Sequence, residues 1–171
     1  MLNRMLLGVA LVAAASVSLA QSFPAPKEVT NLKWMEGTWT GAGKFTMMGE
    51  SQDCTVSLKN KLDGMFLFSD MTTTVGGVPM TEKSYIGWNA AKKQYDMWAF
   101  ASFSTSPRIE HGKMEGNAMV FESEPWDVMG MTMISRSTMT KKSDTEVVFK
   151  LEFKEGDKWG PAMELTLKKS K

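Results

Sequence analysis

From Gly37 onward the chain offers no helical period, only short runs in which apolar and polar residues alternate, each closed by a turn signal. Cys54, Val56 and Leu58 alternate with Thr55, Ser57 and Lys59, and Met163, Leu165 and Leu167 alternate with Glu164, Thr166 and Lys168. Val147, Phe149, Leu151 and Phe153 share one side of another run, with Lys150, Glu152 and Lys154 on the other. Successive side chains of a strand point to opposite faces, so each run is a strand with one apolar face. Asp63–Gly64, Gly76–Gly77 and Glu115-Gly116-Asn117 mark hairpin turns. The runs amount to about ten antiparallel strands in meander order. An all-β chain of this kind closes into a single up-and-down barrel, because closure removes the unpaired edges that an open sheet leaves. The stretch Tyr95 to Phe103 is apolar on both sides, which predicts a strand covered on both faces or lining a cavity.

The first strand sets the curvature. Trp39, Gly41, Gly43, Phe45 and Met47 fall on its inward side, and two inward glycines leave room for a neighbouring backbone or side chain to come close. Trp39 at its start is placed to plug one end of the barrel. Ahead of it, Pro26 opens a short helix with Val29, Leu32 and Trp34/Met35 on one side, suited to cap that end. Residues 21–36 are therefore linker and capping helix, and 37–171 the barrel domain.

Residues 1–20 have the pattern of a secretory signal: Arg4, an apolar run from Met5 through Ala15, and the small-residue exit Ser18-Leu19-Ala20. The run is shorter than the roughly 20 residues of a membrane span, so cleavage before Gln21 and no retained anchor are expected, with a periplasmic or secreted location. Cys54 is the single cysteine, which excludes an intrachain disulfide. With Arg4 removed from the 20 Lys and Arg residues, basic charge balances the 19 Asp and Glu, which argues against nucleic acid as a partner; a monomer is expected.

Leu32-x-Trp34-Met35-x-Gly37-Thr38-Trp39-x-Gly41-x-Gly43, followed by Tyr85-Ile86-Gly87-Trp88-Asn89-x-x-Lys92-Lys93-x-Tyr95, resembles the bacterial family called domain of unknown function 1579. The likeness extends to the closing Leu165-Thr166-Leu167-Lys168-Lys169. It implies a lipocalin-like, or calycin, barrel distantly similar to the haem-binding nitrobindins, in a family without an established activity.

Catalysis has little to stand on. His111 is the single histidine, and no nucleophile–base arrangement can be assembled around it, so no enzyme activity is expected. Asp70 and Asp96 interrupt apolar runs and are the acidic residues with a claim to point inward. Methionine is the anomaly: fourteen of the sixteen lie beyond residue 20. Met129-x-Met131-x-Met133 puts three thioethers on one side of a strand that Met139 continues, leaving Arg136 facing water. Thioethers suit Cu(I), which makes Met131 and Met133 metal candidates, with His111, Met139 or Cys54 as a further ligand. His111 is also the one residue able to hold a haem axially, by analogy with the nitrobindins, although its position does not match theirs. The reading adopted is adaptable packing around a variable occupant, with no metal and no cofactor. The interior so predicted is lined by Trp39, Phe45, Met97, Phe103 and Phe149, with Met129, Met131, Met133 and Leu165, and it binds a small hydrophobic molecule. The alternatives are a filled-core structural or interaction domain, and a periplasmic Cu(I)- or haem-binding protein.

Overall fold

The computed structural model describes residues 24–170, so the expected signal segment 1–20 and the first residues of the linker lie outside the described residues. One helical turn, α1 (Lys27–Thr30), follows Pro26 and runs on into a 3-10 turn at Asn31–Met35. The strands are β1 (Gly37–Met47), β2 (Glu50–Asp63), β3 (Phe66–Val75), β4 (Val78–Asn89), β5 (Gln94–Ala101) and β6 (Arg108–Glu115). They continue with β7 (Ala118–Ser123), β8 (Trp126–Val128), β9 (Met131–Met133), β10 (Ser135–Lys141), β11 (Glu146–Glu155) and β12 (Lys158–Lys169).

Ten of these form a closed antiparallel barrel in the order β1-β12-β11-β10-β7-β6-β5-β4-β3-β2, the up-and-down topology that the alternating runs predict. The one excursion from the meander is the β8–β9 hairpin, which leaves the wall between β7 and β10. Its Trp126 and Val128 pack with Phe153 and Ala162, against Phe45 and Met47 at the far end of β1. The hairpin therefore lies across one end of the barrel. The α1 segment closes the other. Tyr95 Oη donates to the Glu28 carbonyl at 2.9 Å, and Trp39 Nε1 and Asn60 Nδ2 both donate to the Met35 carbonyl, at 2.8 and 3.0 Å. Trp39 thus acts as the expected plug, and its indole N–H, which would be costly to bury alone, ties the cap to the wall.

The inward glycines of β1 do what their spacing suggests. A Cβ on Gly41 would sit 2.5 Å from the Thr166 carbonyl oxygen and 2.9 Å from Leu167 Cδ2, so the β12 backbone and Leu167 occupy the space a side chain would need. Gly112 on β6 is used alike: a Cβ there would run into the Phe121 ring. With Leu165, Leu167, Val147 and Val56 packed around Trp39, this side of the barrel is solid.

One expectation is corrected. The turn after β2 is Gly64–Met65, not Asp63–Gly64: Asp63 pairs with Phe66, and Gly64 takes the positive φ of +59°. This slides the pairing by two residues and leaves the inward parity unchanged. The doubly apolar stretch of β5 takes the second of the two placements expected for it, bordering the barrel's cavity through Met97, and is covered on its inner side alone. Tyr95, Met97 and Ala99 are buried, whereas Trp98 and Phe100 stand on the outside at 38% and 57% exposure. Trp98 pairs across strands with Tyr85, and Tyr85 with Phe68, whose ring lies 5.1 Å away. Cross-strand aromatic contact, rather than a covering layer, accounts for apolar residues on this outer face.

Gly41→Ala is expected to destabilise the barrel by about 1–3 kcal/mol, since the obstructing atom is backbone and cannot swing aside. Gly43→Ala, whose Cβ would meet its nearest neighbour at 3.1 Å, should cost less. Urea denaturation of the two variants checks the order.

Candidate functional site

Beyond the packing around Trp39 the interior is open, and β1 and β12 border the open part too, through Phe45 and Met163. A cavity of about 780 Å³ lies between the cap and the β8–β9 hairpin, within the roughly 300–1,000 Å³ of small-molecule sites. Its wall is rich in thioether: eleven methionines border it, among them Met71 on β3, Met80 on β4 and Met163 on β12. Unbranched, polarizable side chains let such a wall reshape around its contents.

The structure separates the predicted lining residues. Phe45, Met97, Phe103, Met129, Met131 and Phe149 border the cavity. Trp39 and Leu165 are buried in the solid side, packed with each other's cluster. Met133 packs under the hairpin against the Trp126 and Phe153 cluster. The expected strand face of three methionines is not formed. Val128 pairs with Met131, which leaves Met129 and Gly130 as a two-residue turn with φ of +54° and +84°. Paired left-handed residues are what a tight hairpin turn requires, and glycine supplies the second without strain. Met48–Gly49, between β1 and β2, repeats the arrangement at +53° and +83°, so both Met-Gly turns project a methionine at the cavity's rim.

One polar cluster interrupts the apolar wall, and none of its members was among the residues predicted from sequence. On β4, Met80, Glu82, Ser84 and Ile86 share the inward side; on β6, Arg108 and Glu110 do. Arg108 Nη1 and Nη2 donate to the two oxygens of Glu82 at 2.8 and 3.0 Å, a closed fork-to-fork pair. Its Nε lies 2.8 Å from Glu110 Oε1 at an angle that makes no hydrogen bond, so both atoms lack a hydrogen-bond partner. The other Glu110 oxygen accepts from Ser137 Oγ at 3.3 Å. Trp126 lies over the guanidinium, 4.7 Å from ring centre to Cζ, adding a cation–π contact. Burial pushes the Glu110 carboxyl up; Arg108 draws it back in part, and Glu82 adds to the rise. For Arg108 burial opposes the charge, but the two carboxylates more than compensate and hold the guanidinium above its ordinary range. The sequence did carry a signal: Glu82 is four residues from the buried Ile86, an even spacing that places both on one face.

His111, Asp96 and Asp70 stand on the outer wall, which corrects the inward placement entertained for the two aspartates. Asp70 pairs with Lys83. Asp96 accepts from Asn89 Nδ2 and Gln94 Nε2, both at 2.7 Å, and lies 2.8 Å from His111 Nδ1; His111 Nε2 is 3.1 Å from Glu124. His111 therefore faces away from the cavity, with the barrel wall between it and Met131. Cys54 is buried with its Sγ 3.5 Å from Met163 Sδ. Burial disfavours the charged imidazole, yet hydrogen bonds to Asp96 and Glu124 outweigh it and raise the His111 pKa. For Asp96 burial likewise works upward and is overcome by Asn89, Gln94 and His111, leaving a net lowering. Among the described residues no group of three or more His, Cys, Asp or Glu side chains is placed to hold a metal ion. Arg136 faces out as expected, paired with Glu122 at 2.6 Å and stacked on Trp159.

Compared with known proteins, residues 25–169 match a family model described as "Protein of unknown function (DUF1579)". Among solved structures, the barrel is similar to Rv2717c from M. tuberculosis, with a TM-score of 0.63 over 86% of this chain and 99% of that one. The identity is 12%, so the likeness shows the fold alone. No curated protein matches.

Removing one charge from the buried cluster is expected to cost more than removing all of it. Arg108→Met leaves two carboxylates facing each other and should destabilise by about 3–5 kcal/mol, while the triple change Arg108→Met, Glu82→Leu, Glu110→Leu should recover most of that loss. Denaturant midpoints of the two proteins test the difference. The outer pair makes a pH-dependent contribution. A raised His111 pKa stabilises fully below the ordinary value of 6.5 and fades as pH rises through the folded value. A lowered Asp96 pKa stabilises above the ordinary 3.8 and fades as pH falls through its folded value. Melting curves should therefore show His111→Gln losing more relative to the parent near pH 5.5 than near pH 9.

Proposed function

Since the chain belongs to the family of proteins of unknown function 1579, and its barrel is hollow, we propose that it binds a small, mainly apolar molecule in its interior and performs no chemistry of its own. The observation that carries this reading is the cavity of about 780 Å³ walled by methionine and aromatic side chains. Empty apolar volume forfeits dispersion contacts, so a barrel with no occupant could gain stability by filling it with larger side chains, as its own β1–β12 side does. The filled-core alternative has that open volume against it. The apolar rim suits entry of such a molecule: Met48, Val78 and Met129 are exposed at 83%, 63% and 66% and all border the opening. Binding within a barrel needs no second copy, and the reading is of a monomer. The signal-like residues 1–20 support action in the periplasm or outside the cell. No helix among the described residues is long and apolar enough to cross a membrane.

A neutral, environment-sensitive naphthalene dye is expected to bind and to change the fluorescence of Trp126, which borders the cavity. Met71→Trp should fill part of the space and weaken the dye by at least about tenfold with the melting temperature little changed. Equal affinity in parent and variant would place the dye elsewhere. Native mass spectrometry of protein from its own cells should show a reproducible added mass.

A further inference from the structure

Arg108 is the one basic residue bordering the cavity among the described residues, and its guanidinium is already engaged. Both Nη atoms are held by Glu82, and Nε is turned to Glu110. A carboxylate entering the barrel would find no free cation and would stand beside the Glu82 carboxylate, with Glu110 fully buried behind Arg108, in an interior where like charges repel several times more strongly than in water. A cation meets the opposite field. Two carboxylates against one guanidinium leave a negative charge over when both are ionised, Glu82 presents its share of it at the cavity wall, and Glu50 adds an acidic group at the rim.

We propose that the cavity takes an apolar molecule carrying a single cationic head, an ammonium or amidinium, and discriminates against fatty-acid-like carboxylates; this rests on the reading of the barrel as a ligand binder. Glu82 at the wall, with the Ser84 and Ser137 hydroxyl oxygens, accepts hydrogen bonds from the head, and the methionine wall receives the tail.

Decylammonium, decanol and decanoate have the same tail and differ in the charge of the head, so calorimetric titration of the purified protein with each at neutral pH, below its micellar concentration, isolates the head. Decylammonium should bind at least about tenfold tighter than decanol, and decanoate weaker than both. Glu110→Gln keeps the shape and the Arg108–Glu82 fork, and should bring amine and alcohol to within about threefold. Glu82→Gln opens the fork and should tighten decanoate by at least about tenfold relative to the parent. Circular dichroism establishes that each variant is folded, and the three-ligand comparison on the parent stands without them. Decanoate binding tightest, or all three binding alike, overturns the charge assignment and leaves the binding reading in place. No binding by any of the three overturns both.

Discussion

The seam between β1 and β12 is the constraint on which the barrel depends. It joins the first and last strands, so its hydrogen bonds form across nearly the whole length of the domain: Trp39 opposite Lys169, Phe45 opposite Met163. Without it each terminal strand would expose an edge, and the interior would open to water. The seam holds the same register on both sides of Gly41–Gly43, where Leu165 and Leu167 press close to the β1 backbone. The glycines thus decide where the barrel is solid, and so where its free volume is left. Contacts this distant in sequence are costly in loop entropy.

The polar cluster inside that volume is difficult to account for by stability alone. A buried ion pair returns little beyond its desolvation, and apolar residues of similar size usually serve at least as well. Here the pair carries a second carboxylate with an unpartnered oxygen, beneath an aromatic face supplied by a hairpin outside the barrel wall. Trp126 connects two features that the chain builds separately: the hairpin over the open end and the charge beneath it. Displacing the hairpin would remove the indole from Arg108 and expose the cluster, so access to the cavity and the environment of its charges are physically coupled.

The class of the fold was legible because it rests on parity. Apolar alternation marked the strands, paired glycines marked the first of them, and the tryptophan at its start marked the plug. The charges inside escaped the same reading for a definite reason. On β6 the inward residues Arg108 and Glu110 are polar while Ile109 faces out, so hydropathy assigns the faces the wrong way round; the inward direction is set by pairing with β5, where Glu110 lies opposite Met97. The methionine triplet failed for another reason. Methionine is not a turn former, and the sequence offered no sign that Met129 takes a left-handed backbone instead of continuing a strand. The doubly apolar stretch of β5 does border the cavity, and its outer aromatic residues are apolar through contact within their own sheet.

Pairing of β1 with β12 gives the molecule a direction. Ser170 N donates to the Thr38 carbonyl at 2.7 Å, so the chain leaves the barrel beside the point where it enters, at the capped rim. The Met48–Gly49 and Met129–Gly130 turns lie at the opposite rim. The described chain thus enters and leaves the barrel on the capped side, with the opening turned away from both points.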